Sequence, residues 1–238
     1  ICSAFGIGGW ALYIWAFHRD PGQDWMVFYT AARAYLDGSL PLIFHGHAFT
    51  AALNQRFAGW LGFPLNLHPW VYPPTFLLLF LPFGLAPPAV SFPLFQLASL
   101  AAVLAAVWFY VGPRNRRSMP IFSLLLCPAV PFNVLTGQNA FLTSALLVGG
   151  FGLLGRSPVL GGVLLGVLTF KPQLWLMVPV ALLAARQWRA LASAGTTAAI
   201  LALVSLAVFG TEAWRAFFDL IIGSSAVSRG WLTAGRLK

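Results

Sequence analysis

Apolar residues run in long blocks separated by short polar segments. The blocks fall at about 1–17, 73–86, 89–111, 120–135, 140–154, 159–185 and 191–209. Blocks of about 15 to 25 apolar residues have the length an α-helix needs to cross hydrocarbon. An open sheet would leave backbone groups unpaired in lipid, so the pattern predicts helices. The fold class expected is an all-α polytopic membrane protein: one transmembrane helical bundle over 1–238, with a structured first extracytoplasmic loop at 18–71. Within that loop, Asp24–Leu36 has helix formers, an acidic start and Gly38 as a stop, and His47–Ala58 ends at Gly59. Both short helices are expected to be amphipathic and to lie along the membrane surface.

Proline punctuates the rest. Tyr72-Pro73-Pro74-Thr75 opens the second block, where a first-turn proline loses no hydrogen bond, and Ala86-Pro87-Pro88 closes it. The block 159–185 is long for one span and holds Lys171-Pro172-Gln173 near its middle. A proline there breaks the helix and the lysine needs water or a counter-charge, which predicts two half-helices meeting at a polar cavity. Glu212–Ile222 reads as a further amphipathic helix, and there is no solenoid repeat.

Composition agrees. Hydrophobic residues make up 59% of the chain and charged residues 8%, with a mean hydropathy of +0.82. A soluble domain carries roughly a quarter charged residues, so water is excluded as the main solvent. The net charge of +9 is spread in short clusters between apolar blocks: Arg114, Arg116 and Arg117, then Arg156, then Arg186 and Arg189. That is the signature of cytoplasmic loops and argues against a nucleic-acid partner. It also raises a conflict. The acidic loop 18–71 should face outside and the 112–119 loop should face the cytoplasm, yet two full crossings between them would put both on one side. Either 73–86 does not cross completely or the arginine cluster departs from the rule. Cys2 and Cys127 have neither metal-ligand spacing nor a disulfide framework. Ile1 already lies inside an apolar run with no signal-peptide n-region before it, so the chain is expected to be a fragment.

Five carboxylates serve the whole chain, and Asp20, Asp24 and Asp37 cluster in the loop. An acid beside a membrane is costly to desolvate. Asp24 can be the N-cap of the helix it begins or a general base, and the two roles are compatible. Asp20, in Arg19-Asp20-Pro21-Gly22, looks like a turn residue, and Asp37 before Gly38 a helix end. Tyr29 and Arg33 are four apart and share a helical face; they could shape a pocket and meet a phosphate, or sit at headgroup level. Lys171 could bind an anion or snorkel to the interface. Gln138 and Asn139 could hydrogen-bond sugar hydroxyls or form a hairpin whose asparagine caps the next helix. His68 lies near the membrane and could orient an acceptor. His45 and His47 lack further ligands at metal-site spacing, so no metal and no cofactor are expected.

The segment Asp24-Trp25-x-Val27-Phe28-Tyr29-x-Ala31-Ala32-x-Ala34-x-x-x-Gly38 resembles the first-loop motif of glycosyltransferase family 87. Tyr72-Pro73-Pro74, Gly137-Gln138-Asn139, Lys171-Pro172 and Arg186-x-Trp188-Arg189 follow in that family's order over nearly the whole chain. The resemblance implies a GT-C fold and a polyprenyl-phosphate-linked sugar donor, typically of mannose, with Asp24 as the catalytic acid of the first loop. The expected protein is thus an inverting hexosyltransferase of the bacterial cytoplasmic membrane, multi-pass, with Asp24 as catalytic base. Tyr29, Arg33, His68, Gln138, Asn139 and Lys171 would bind the donor and a glycan or glycolipid acceptor. Two other classes stay open: a lipid-linked-sugar transporter or flippase built around Lys171-Pro172, and a non-catalytic membrane scaffold.

Overall fold

The computed structural model describes residues 21–111, 127 and 129–234. Among these residues every regular element is helical. In chain order they are α1 (Gln23–Leu36), a 3-10 turn (Leu40–Phe44), α2 (Gly46–Arg56), α3 (Pro74–Gly84), α4 (Pro88–Val111), α5 (Ala129–Thr136) and α6 (Ala140–Leu153). Then follow α7 (Pro158–Val167), a 3-10 turn (Leu168–Phe170), α8 (Pro172–Trp175), α9 (Met177–Ala184) and α10 (Trp188–Ala234). Proline opens α3, α4, α7 and α8, where the missing N–H would have had no partner. Among the described residues two stretches, Pro88–Tyr110 and Trp188–Ile222, are long and apolar enough to cross a membrane. The second is broken at Gly210, whose φ of 79° and ψ of 172° separate the apolar part from the segment that carries Glu212. The first apolar block, Asp20 and the Arg114–Arg117 cluster lie outside the described residues.

The α1 helix corrects one expectation. It does not lie on a surface with one face down; Trp25, Met26, Phe28, Tyr29, Ala31 and Ala32 are all buried. Large aromatic and small side chains occur on every face of this helix, so it gains most by being enclosed. Trp25 packs at 5.6 Å from Phe57, 5.9 Å from Trp60 and 5.2 Å from Phe92. Phe28 meets Tyr72 at 5.3 Å and Phe76 at 4.9 Å, both edge to face. Such pairs contribute about 0.5–1.5 kcal/mol each beyond the area they bury. The helix ends where expected, at Asp37, with Gly38 following at a φ of 76°.

The length and path of α3 bear on the conflict over orientation. Its 11 residues span about 16 Å, near half the thickness of hydrocarbon. Its first turns meet the middle of α1 through Phe76 and Phe28, and its end meets Ala32 and Leu36 at Gly84. Beyond that end, the Tyr29 hydroxyl donates to the Ala86 carbonyl at 3.0 Å, and Phe92 lies against Trp25. The chain from 74 to 92 therefore stays beside α1, and α4 is the helix that leaves. As a helix of 11 residues, α3 is too short to span the hydrocarbon by itself.

Small residues hold the far half together. Gly162 of α7 faces Ala190 and Ser193 of α10, and Gly166 faces Ala194 and Thr197. Glycines four apart against alanines four apart let two backbones touch, the usual device where lipid removes the hydrophobic drive between helices. The same contacts show that α7 and α10 run side by side in one direction. The chain must therefore return between them, and α8 and α9 bring it back. Lys171-Pro172 is the tip of that hairpin, so the two expected half-helices turn around rather than continue one span. Arg156, Arg186 and Arg189 gather where α7 and α10 begin. Replacing Gly162 with leucine would drive a side chain into Ser193 Oγ and the Ala190 carbonyl. Overpacking of this kind should lower unfolding stability by about 1–3 kcal/mol in detergent. Gly195→Leu, at a position whose Cβ meets nothing within 4 Å, serves as control and should change it far less.

Candidate active site

The site is built where α1 begins. Gly22 holds the N-cap at a φ of 90°, and its carbonyl accepts the Met26 N–H at 2.7 Å. Asp24 is therefore inside the first turn and is not the cap residue that its position suggested. A carboxylate there still benefits from the positive end of the helix dipole. The turn between α5 and α6 docks on this terminus: the Gly22 N–H donates to the Leu135 carbonyl at 2.6 Å. Gly137 adopts a φ of 73°, and a Cβ on it would lie 2.6 Å from Trp25 Cβ and 2.9 Å from Gly22 Cα. Only glycine fits both the backbone and the space. This approach delivers Gln138 to Asp24, with Nε2 donating to Oδ2 at 2.7 Å.

The turn is itself fastened by two amides that sequence analysis missed. The Asn133 carbonyl accepts the Gly137 N–H at 3.0 Å and the Gln138 N–H at 3.1 Å. Its side-chain Oδ1 accepts the Ala140 N–H at 3.2 Å, and its Nδ2 donates to Gln96 Oε1 on α4 at 3.2 Å. Asn133, and not Asn139, thus satisfies the start of α6. Both amides are buried inside otherwise apolar helices, where a polar side chain is expensive; that was the available signal. Asn139 is fully buried, yet neither of its amide atoms has a hydrogen-bond partner. An unsatisfied buried amide costs about 1–3 kcal/mol, so one kept beside Asp24 is a candidate for contact with substrate.

Tyr72 completes the group. Its ring is held by Phe28, by Trp70 at 5.6 Å and by Phe76 at 4.6 Å. Its hydroxyl approaches the Asn139 amide, short of good hydrogen-bond geometry, and lies within reach of the Asp24 charge. Burial pushes the phenol up to about 12; the Asn139 amide opposes this shift and the Asp24 charge adds to it. Tyr72 is therefore a neutral hydroxyl throughout the physiological range. In the sequence it stood out only as part of a helix-start motif.

Lys171 belongs to the same end of the molecule. Phe170 stacks on Phe76 at 5.1 Å, and Phe76 touches Tyr72. The Lys171 carbonyl accepts the Leu174 and Trp175 N–H groups at 3.0 and 2.9 Å, which opens α8. The other candidates are placed elsewhere. Arg33 pairs with Asp37 at 2.7 Å, and Arg56 pairs with the same carboxylate at 2.9 Å. Arg33 lies about 13 Å along α1 from Asp24. Tyr29 is spent on the Ala86 carbonyl, with burial raising its phenol above the ordinary value. The His68 N–H donates to Thr50 Oγ1 at 3.0 Å, and its ring Nδ1 is buried without a partner. Among the described residues no group of three or more His, Cys, Asp or Glu side chains converges.

A model of glycosyltransferase family 87 matches residues 70–235, more than half of the chain. The match takes in Tyr72, Asn133, Gln138, Asn139 and Lys171 and begins after Asp24. No curated protein and no solved structure matches the chain.

Proposed function

The chain belongs to glycosyltransferase family 87, and from that premise we propose that it moves a hexose, mannose in our reading, from a polyprenyl-phosphate donor to a glycan or glycolipid acceptor. The family makes it a glycosyltransferase with a sugar donor and an acceptor, and with the two long apolar helices it suggests a membrane protein. The work is assigned to the outer face of the bacterial cytoplasmic membrane in a multi-pass chain. The observation that carries the proposal is the meeting of Asp24, Gln138, Asn139 and Tyr72 at one end of the bundle, with Lys171 at that same end.

The chemistry divides among these groups. The Asp24 carboxylate takes the proton of an acceptor hydroxyl as its oxygen attacks the anomeric carbon. Gln138, donating to Oδ2, holds the carboxylate in one orientation. The bond from the anomeric carbon to the phosphate oxygen breaks on the opposite side, so the centre inverts. Polyprenyl phosphate leaves as an anion, and Lys171 supplies the positive charge that meets it. Asn139 and Tyr72 offer one amide and one neutral hydroxyl to the sugar. Radiolabelled polyprenyl-phosphate mannose, incubated with membranes containing the protein, tests the proposal. Label should pass to a glycan or glycolipid. Label that crosses the bilayer without being transferred would replace the enzyme with a flippase.

A further inference from the structure

An apolar groove lies away from the Asp24 site. It has a volume of about 410 Å³ and runs between α4, α6 and α7, lined by Ala102, Gly149, Leu160 and Leu164 among others. Tyr110 and Arg156 stand at one end of it. Tyr110 is 65% exposed and packs beside Gly152. Arg156 is exposed, and among the described residues no carboxylate pairs with it. The α7 helix begins two residues later, and the side chain of its N-cap, Ser157, makes no capping hydrogen bond. Its first-turn N–H groups therefore add positive potential beside the arginine.

We propose that this groove binds an anionic membrane phospholipid, with an acyl chain along α4 and α7 and its phosphate between Arg156 and the start of α7. The complementarity is of both kinds: an apolar trough fits a hydrocarbon chain, and an unpaired guanidinium with helix amides fits a phosphate. The lipid belongs to the leaflet opposite the Asp24 site. The 14 residues of α6 put about 21 Å between Arg156 and the Gln138–Asn139 turn. A headgroup held at Arg156 is therefore too far from Asp24 to be the reacting donor. Arg186 and Arg189, exposed at this same end, favour an anionic leaflet surface there.

The test uses the purified protein in detergent with an equimolar mixture of phosphatidylglycerol and phosphatidylcholine, read by native mass spectrometry. Wild type should retain phosphatidylglycerol about fivefold better, the size expected for one basic residue at a headgroup. Arg156→Gln should remove that preference. Ala102→Phe, which fills the groove from an exposed position, should lower retention of both lipids. A phosphatidylglycerol with a photoreactive acyl chain should label peptides of α4, α6 and α7. Equal retention of the two lipids by wild type overturns the proposal. So does a preference that survives Arg156→Gln, retention unchanged by Ala102→Phe, or labelling confined to other helices.

Discussion

Asp24→Asn should slow sugar transfer by about 10²- to 10⁴-fold, the range that a general base contributes. Asparagine keeps the size of the side chain, and its carbonyl can still accept from Gln138 Nε2. The contact between α1 and the α5–α6 turn should therefore persist and the variant should fold. Donor affinity should be close to wild type, because Lys171 and the lipid tail are untouched. Initial transfer rates with labelled donor, set beside donor binding by the same protein, separate the two effects. Turnover at the wild-type rate would remove Asp24 from the chemistry. Asp37→Asn is the natural control: it cuts the pairs to Arg33 and Arg56, both partly exposed, and should cost less than about 1 kcal/mol of stability with little change in rate.

Gly137→Ala should cost about 10²-fold in rate while leaving a folded protein. The left-handed backbone at this residue penalises any Cβ by about 1–2 kcal/mol. The new methyl would also meet Trp25 Cβ and the backbone at Gly22 and Trp25. Trp25 is pinned by three other aromatic rings, so the turn yields and α1 does not. A shift on the order of 1 Å at Gln138 and Asn139 is enough to lose two orders of magnitude in a positioned reaction. Gly155→Ala, at an open position, should be silent on the same assay. If Gly137→Ala turns over normally and unfolds normally, the turn plays no part in positioning substrate.

Much of the bundle could be read from the chain because its signals are local. Proline at a helix start, glycine at a helix end and the break at Lys171-Pro172 each act within a few residues, and each is found where expected. The character of α1 was harder. Its polar residues, Gln23, Asp24 and Arg33, suggest a wet face, but Phe57, Trp60, Tyr72 and Phe92 come from remote segments to enclose it. Tyr29 and Arg33 show the same limit. Their spacing correctly puts them on one face, but a distant carbonyl at Ala86 claims the first and a carboxylate shared with Arg56 claims the second. The chemistry of Gln138 marks it as a candidate, but its partner, 114 positions away, is not visible in its neighbours. Asn133 and Gln96 were overlooked because each is a single amide in an apolar run, and only their pairing reveals a purpose.

The short path of Pro74–Gly84 changes how this chain should be mapped. A hydropathy profile scores that segment as a pass, and removing one pass moves every later loop to the other compartment by parity. Without that pass, the charge rule alone expects the acidic loop and the arginine-rich loop after Val111 on opposite faces. Reporter fusions placed after Gly84 and after Arg117 would consequently report different compartments.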